Sequence, residues 1–489
     1  MTALLVRPLV AGLFVLVQTL LLAYSAHRWL TLWRWSRRRD AAIAPAPIDP
    51  GAWPSVTVQL PLYNERRVVE RLIDAVAALE YPADRLEIQV LDDSTDETLV
   101  LARAAAARHR ARGIAIDVLH RERRERFKAG ALAAGLARAR GSLIAIFDAD
   151  FVPGPDFLRR VVPSFASPEV GMVQARWGHL NRDASLLTSA QAAMLDAHFL
   201  LEHEARMAAG VFFNFNGTAG VWRRTCIESA GGWSHDTLTE DLDLSYRAQL
   251  AGWRFVSLPG VVAAAELPAD IAAFKSQQHR WAKGSIQTAR KLLPAVLRSA
   301  QPARVKIEAC FHLTNNVAYP LLLLSGLLLL PVLLAFPDAA HRLAVAADVG
   351  VILAGVVPVC AFLATGRLAA GARGWSVARD VISVLILGAG LSFTNTRAVL
   401  EGLGRQPGEW IRTPKTGEGG PRARLEPYAP RRARGGGLEL LLALCAAGLS
   451  GLAWSMGQAR SLPFLIILGL GLAYVGVLSF RRPARADQR

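Results

Sequence analysis

Leu143-Ile144-Ala145-Ile146-Phe147-Asp148-Ala149-Asp150 is an apolar run that stops in two carboxylates one residue apart. Its length and composition suit a short strand buried on both faces, and alternate side chains of a strand share a face. Asp148 and Asp150 therefore converge on one point just past a sheet. The carboxyl edge of a parallel sheet is where open α/β folds keep their ligands. Two hard oxygen donors there suit Mg²⁺ or Mn²⁺ shared with the phosphates of a substrate. A strand running into a solvated Asp-Ala-Asp turn has the same local sequence, so the flanking residues have to decide.

Upstream, residues 56–60 read as a strand closed by Pro61, and Asn64-Glu65 opens a helix whose Val69, Leu72, Ile73, Val76 and Leu79 keep the helical period. Residues 86–91 form the next strand, with Asp92-Asp93 at its end. Ser94-Thr95-Asp96-Glu97 then has the pattern of a capping box. Residues 114–119 are a third strand, and Phe127-Lys128-Ala129-Gly130 leads into an alanine-rich helix. Strands alternating with helices predict an α/β domain with a doubly wound, mostly parallel sheet. Asp93 and the Asp148/Asp150 pair then stand at the ends of two strands of one sheet.

Downstream the pattern is less regular. Phe212 to Gly220 mixes aromatics with glycines, and Thr225-Cys226-Ile227-Glu228 has a second capping-box pattern. Thr239-Glu240-Asp241-Leu242-Asp243 begins a helix that Gly252 ends; acids in a first turn also complement the helix dipole, with no chemistry implied. Around Gln277-Gln278-His279-Arg280-Trp281, the residues Phe274, Trp281 and Ile286 alternate with Lys275, Arg280, Lys283, Arg290 and Lys291. That mixture predicts an amphipathic helix at a membrane surface.

Of the 489 residues, 52% are hydrophobic, and they pile up in runs at 9–26, 317–336, 343–365, 440–456 and 462–480. Each run is close to the roughly 20 residues that cross a bilayer. The first is too long for a signal-peptide core and is followed by Arg28 and a Trp-rich segment, which reads as a retained anchor. The net charge of +16 sits largely beside these runs, at Arg34, Arg37 to Arg39, Arg367, Arg373, Arg379 and Arg481 to Arg485. This is the positive-inside pattern and suits anionic lipid. No zinc-ligand spacing or basic-aromatic stripe accompanies it, which argues against nucleic acid. Cys226, Cys310, Cys360 and Cys445 are scattered, predicting buried free thiols and no disulfide framework.

Asp92-Asp93, Asp148-Ala149-Asp150, Thr239-Glu240-Asp241 and the QxxRW motif of Gln277, Arg280 and Trp281 stand in the order found in membrane-embedded family 2 glycosyltransferases, the synthases of cellulose, hyaluronan and related β-glycans. The strings Gln89 to Asp96, Phe147 to Phe151, Asn216 to Arg223 and Gln277 to Trp281 most resemble the cellulose synthase-like mannan and glucomannan synthases. The resemblance is dense over 54–297 and extends to the C-terminal spans in layout only. It implies a GT-A-like domain that is cytosolic and inserted in a multi-span α-helical membrane protein. It also implies roles. Tyr63, Glu65, Asp92 and Asp93 contact the base and ribose of a sugar nucleotide, GDP-mannose or UDP-glucose, and Lys128 lies near its diphosphate. Asp148 and Asp150 hold Mg²⁺ or Mn²⁺. Asp241 is the general base, with Glu240 beside it, and Gln277, Arg280 and Trp281 bind the diphosphate and the acceptor end. Phe215, Asn216, Gly217 and Thr218 touch that acceptor. Trp410-Ile411-Arg412-Thr413-Pro414-Lys415 resembles a gating-loop FxVTxK sequence, with Thr413 and Lys415 in matching places; a basic Gly/Pro linker is the other reading.

One base and no separate nucleophile imply direct displacement with inversion, so an α-linked donor gives a β-linkage. The expected organisation is an N-terminal transmembrane anchor at 1–40, a linker at 41–53, the transferase domain at 54–270 and the QxxRW interface helix at 271–300. Two spans at 301–366 follow, then an interface helix and basic gating-type loop at 367–436, two spans at 437–480 and a basic cytosolic tail at 481–489. The apolar segment 381–393 is too short for a comfortable span and is laid on the cytosolic surface, which leaves five crossings. The expected function is a processive synthase of the plasma or inner membrane. It polymerises mannose or glucose, β-1,4-linked, and passes the growing β-glycan across the lipid, with partner subunits possible. The alternatives are a non-processive transferase acting on a membrane lipid acceptor, and a membrane scaffold carrying an inactive nucleotide-binding domain.

Overall fold

The computed structural model describes residues 2–38, 53–335, 355–404, 415, 417 and 436–480. Eight strands form one sheet in the order β3-β2-β1-β4-β7-β6-β8-β5. They are β1 (Val56–Leu62), β2 (Leu86–Asp92), β3 (Ile116–His120), β4 (Leu143–Ile146), β5 (Val152–Pro153), β6 (Val170–His179), β7 (Gly220–Arg223) and β8 (Arg254–Ala265). The first four are mutually parallel, as the β/α alternation predicts. Central strands lie between two apolar layers. Leu143, Ala145 and Phe147 enter the core that contains Val69, Leu72, Ile73 and Val76 of the helix Val69–Ala77. Ile144 and Ile146 enter the opposite core, with Leu132, Trp222 and Leu244. Burial on both faces is why β4 reads as an unbroken apolar run.

β7 runs antiparallel to β4, with Ile146 opposite Gly220, and β6 antiparallel to β7. The strand direction has a consequence: the segment leading into β7 arrives where β4 leaves off. Ala219 N–H donates to Ile146 O at 2.9 Å, and Asp148 N–H to Thr218 Oγ1 at 2.9 Å. The sheet edge therefore collects the residues after β2 and β4 and those before β7.

Neither predicted capping box forms. Ser94 Oγ instead accepts from Asn64 N–H across the neighbouring loop at 2.8 Å, and the helix Thr98–Arg110 starts with Asp96 Oδ1 on Thr98 N–H at 2.9 Å. Glu228 pairs with the Arg224 side chain at 2.7 Å, one turn away on the same helix, rather than capping the Thr225 backbone. The four cysteines are free, but only Cys226 is fully buried and Cys445 is exposed on an apolar helix.

Among the described residues, four helices are long and apolar enough to cross a membrane: Arg7–Ser36, Ala303–Ala335, Gly436–Ser455 and Ala459–Phe480. The expected span at 343–365 is described only in its last part, within the shorter helix Val357–Ala369. The apolar segment 381–393 belongs to a longer element, the helices Trp375–Gly390 and Ser392–Leu403 bent by 52°, which together also meet the length and composition of one span. The helix Leu186–Ala197 carries the transferase domain onto these elements: Leu187, Ala190, Ala193 and Ala197 pack with Phe362, Leu363, Val381, Val384 and Leu387.

A buried ionic knot ties the same junction. Arg367 is 2% exposed; its Nε donates to Asp380 Oδ2 at 2.9 Å and its Nη1 donates to Asp196, while Arg182 reaches Asp380 at 2.8 Å. Removing one partner of such a knot leaves uncompensated buried charge. Arg367→Ala is expected to destabilise the protein by about 3–5 kcal/mol, read as a fall in the thermal midpoint in detergent. Adding Asp196→Asn should recover part of the loss; no recovery would show that Arg367 acts through packing alone.

Candidate active site

A cavity of about 150 Å³ opens at the sheet edge, lined by Tyr63, Glu65, Asp93, Lys128, Asp148, Asp150, Asn216, Gly217, Glu240, Asp241, Gln277, Arg280, Trp281 and Lys415 among others. Residues more than 300 positions apart thus meet in one cleft. The helix Glu240–Leu250 delivers its acids from its first turn, and the helix Ile271–Arg298 delivers the QxxRW triad from one face. Three expected residues do not line it. Asp92 is fully buried and pairs with His120 Nδ1 at 2.7 Å; Phe215 is buried edge-on against Trp222; Thr218 supports Asp148 from behind. Thr413 lies outside the described residues.

The charges are strongly coupled. Lys128 Nζ lies 2.6 Å from Asp148 Oδ1 and 4.0 Å from Glu240, and donates to Gly217 O at 2.9 Å. Burial works against its ammonium, but the carboxylates of Asp148 and Glu240 outweigh burial and hold its pKa above the ordinary lysine value. Asp241 is pushed up to about 7, first by burial and then by the charge of Glu240, with Lys128 opposing. Arg280 is lowered by burial, and the carboxylates of Glu240, Asp148 and Asp241 offset this only in part. Asp150 is raised by burial despite Lys415, whose Nζ lies 2.7 Å from its Oδ2.

Backbone strain clusters here too. Among the described residues, the non-glycine positions with positive φ are Asn64, Arg126, Phe127 and Ala219, each within two residues of a predicted site residue. Held conformations of this kind concentrate at functional sites. Gly217 has φ +80°, and a Cβ there would meet Asp241 Oδ2 at 3.0 Å and Lys128 Nζ at 3.5 Å. Gly217→Ala is expected to cost about 1 kcal/mol in stability and to reduce activity about tenfold or more by displacing the Asp241 carboxylate. Unchanged turnover would mean that the carboxylate does not act from this position.

Sequence reading missed several residues. Arg121 clamps Asp93 with two bonds of 2.7 and 2.6 Å, and the Arg124 guanidinium lies 3.5 Å from the centroid of the Tyr63 ring. The signal was the charged run Arg121 to Arg126 between a strand end and the Lys128 helix. Trp177, His179 and Glu266 also line the cleft, with Glu266 paired to Arg71 at 2.7 Å and accepting from Gly417 N–H at 3.1 Å. As metal donors, Asp148 and Asp150 fit a hard divalent ion: both face the cleft, one residue apart. Among the described residues no group of three His, Cys, Asp or Glu could hold an ion, so phosphate oxygens of a ligand would have to complete the shell.

Residues 54–284 match the family model described as glycosyltransferase like family 2. A solved mannosyltransferase from Pyrobaculum calidifontis, in complex with GDP-Man and Mn²⁺, superposes with a TM-score of 0.53 at 25% identity, covering 76% of this chain and 99% of that one. The chain is thus a family 2 glycosyltransferase with a GT-A-like mixed sheet, flanked by apolar helices. Glucomannan 4-beta-mannosyltransferase 1 of Oryza sativa subsp. japonica is 43% identical over 270 residues, 54% of this chain and 51% of that protein. Glucomannan 4-beta-mannosyltransferase 2 of Arabidopsis thaliana is 37% identical over 378 residues, 75% of this chain and 68% of that protein. The chain belongs to this cellulose synthase-like family. It spans about half the length of most of the curated relatives it matches.

Proposed function

We propose that the chain moves a hexosyl unit, mannose in the first instance and glucose as the alternative, from a sugar nucleotide to the end of a β-1,4-glycan with inversion. The observation that carries this reading is one cleft holding Asp148, Asp150, Asp241 and the QxxRW triad. Asp241, pushed up to about 7, is suited to take the proton of an attacking hydroxyl near neutral pH. Arg280 and Lys128 line the same cleft, where their charges would offset that of a leaving diphosphate. A divalent ion on Asp148 and Asp150 would add charge neutralisation at that diphosphate; the Pyrobaculum mannosyltransferase is a complex with GDP-Man and Mn²⁺, which supports GDP-mannose as donor here. One base and no separate nucleophile support direct displacement with inversion.

Processivity and passage of the product are part of the same proposal. Polar side chains run among the apolar helices: Gln18 bonds Ser325 at 2.9 Å and Tyr24 bonds Thr314 at 2.8 Å, while the hydroxyls of Ser392 and Thr396 are buried without a partner among the described residues. Polar groups inside a bilayer are costly and commonly mark a substrate path. The positive-inside pattern supports a cytosolic catalytic domain on a plasma or inner membrane. A panel of radiolabelled sugar nucleotides with purified protein, followed by linkage analysis, tests the reading. Product that resists lipid extraction and yields to an endo-mannanase supports it; a chloroform-soluble single-sugar product favours transfer to a membrane lipid instead.

A further inference from the structure

Asn216 lines the cleft next to Gly217, and its side chain is held from outside the cleft by a residue the reaction does not otherwise need. The Asn216 amide Nδ2 lies 2.9 Å from His198 Nε2. His198 sits on a π-helical turn, His198–Glu202, inserted between the helices Leu186–Ala197 and His203–Ala208. Single π turns inside α-helices recur at functional sites. His198 Nδ1 lies 2.7 Å from Glu202 Oε2. A carboxylate only accepts, so Nδ1 carries the proton and Nε2 is left to accept from the Asn216 amide. Glu202 is itself kept charged: burial raises its pKa, but Arg28 and Arg206 outweigh burial and hold it well below the ordinary range. Arg28 belongs to the first membrane helix and ion-pairs with Glu202 directly.

The chain of contacts therefore fixes the tautomer of His198 and, through it, which way the Asn216 amide faces. Asn216 N–H is fixed as well, donating to Gln174 Oε1 at 2.9 Å. Its carbonyl oxygen Oδ1 is buried and has no hydrogen-bond partner among the described residues. An acceptor held in one orientation without a donor is unfavourable unless a ligand supplies one.

We propose that His198 is a positioning residue for the acceptor sugar: it orients the Asn216 amide so that Oδ1 receives a hydroxyl of the glycan end beside Asp241. This rests on the glycan-extending reading above. His198 touches no substrate; it acts through Asn216, with Glu202 and Arg28 as its support.

The test compares His198→Leu and His198→Gln in the full-length protein in detergent, with GDP-mannose as donor and β-1,4-mannohexaose as acceptor. Gln retains an oxygen able to accept from the Asn216 amide; Leu does not. His198→Leu is expected to raise the acceptor KM about tenfold, the worth of one oriented hydrogen bond, with the donor KM within about twofold of wild type. His198→Gln should restore most of the acceptor KM. Calorimetric binding of GDP to both variants confirms a folded donor site. The proposal is overturned if His198→Leu leaves the acceptor KM unchanged, if donor and acceptor KM rise together, or if His198→Gln behaves as His198→Leu. A wild-type protein that transfers sugar but ignores mannohexaose and every other β-glycan overturns the glycan-extending reading itself, and this proposal with it.

Discussion

If Asp241 is the general base, replacing it by asparagine is expected to lower the rate of sugar transfer by about 10²- to 10⁴-fold, the range associated with a positioned base, while GDP binding stays within about threefold. The amide cannot take a proton, yet it keeps the shape of the first turn of Glu240–Leu250, where Asp241 Oδ1 accepts from Leu242 N–H at 2.8 Å. The pH profile separates this role from a structural one. Burial, and then the charge of Glu240, push Asp241 up to about 7, so wild-type turnover falls as pH drops below about 7, when the base becomes protonated. Glu240→Gln removes a charge that raises Asp241, so the acid limb moves to lower pH. Stability runs the other way. A carboxyl that holds its proton more tightly in the folded chain contributes stability in full below its unfolded value, near 3.9. That contribution is lost as pH rises through about 7. Asp241→Asn is therefore expected to melt above wild type at pH 8 and level with it at pH 4. A variant that is less active but no more stable at pH 8 would show that the carboxyl is not held in the unfavourable, buried state that makes it a base.

The parallel half of the sheet was readable because its central strands are mostly buried: β4 is a plain apolar run leading into two acids, and β1 and β2 are largely apolar segments of strand length. The antiparallel half was not. β7 is four residues long and hidden behind the Asn-Gly-Thr-Ala stretch, and β8 carries Pro259 and Gly260, which interrupt a strand pattern. Both capping-box patterns misled for one reason: Ser94 and Glu228 found nearer partners in tertiary space or on the same helix face. Most of the motif residues do meet in the cleft, because each sits at an element's end where the sheet edge gathers them. Asp92 shows the limit of adjacency. Consecutive strand residues face opposite ways, so only Asp93 reaches the cleft, while Asp92 turns inward to His120. Arg121 and Arg124 went unnoticed because a charged loop has no period to betray what it contacts.

Asp150 and Lys415 offer an experiment in which one carboxylate gives two opposite answers. Lys415 Nζ lies 2.7 Å from Asp150 Oδ2, so a cation already sits where a divalent ion would bind. If Asp150 is a metal ligand, Asp150→Ala removes a hard oxygen donor, and the increase in GDP affinity brought by Mn²⁺ disappears. Turnover then falls about 10³-fold, in keeping with several kcal/mol of charge stabilisation lost at the leaving group. Lys415→Met has the reverse effect on the ion taken alone. It removes a competitor for Oδ2, so Mn²⁺ added without nucleotide binds more tightly than to wild type. It also leaves a buried carboxylate unpaired, so the metal-free variant melts below wild type and Mn²⁺ restores the difference. A purely structural ion pair predicts something else: both substitutions destabilise alike, and neither alters the response to Mn²⁺. Titrating Mn²⁺ into the three proteins, with binding read from the spin signal of the free ion and stability from the melting midpoint, distinguishes the two. Mn²⁺-enhanced GDP binding that survives in Asp150→Ala would remove this residue from the metal site.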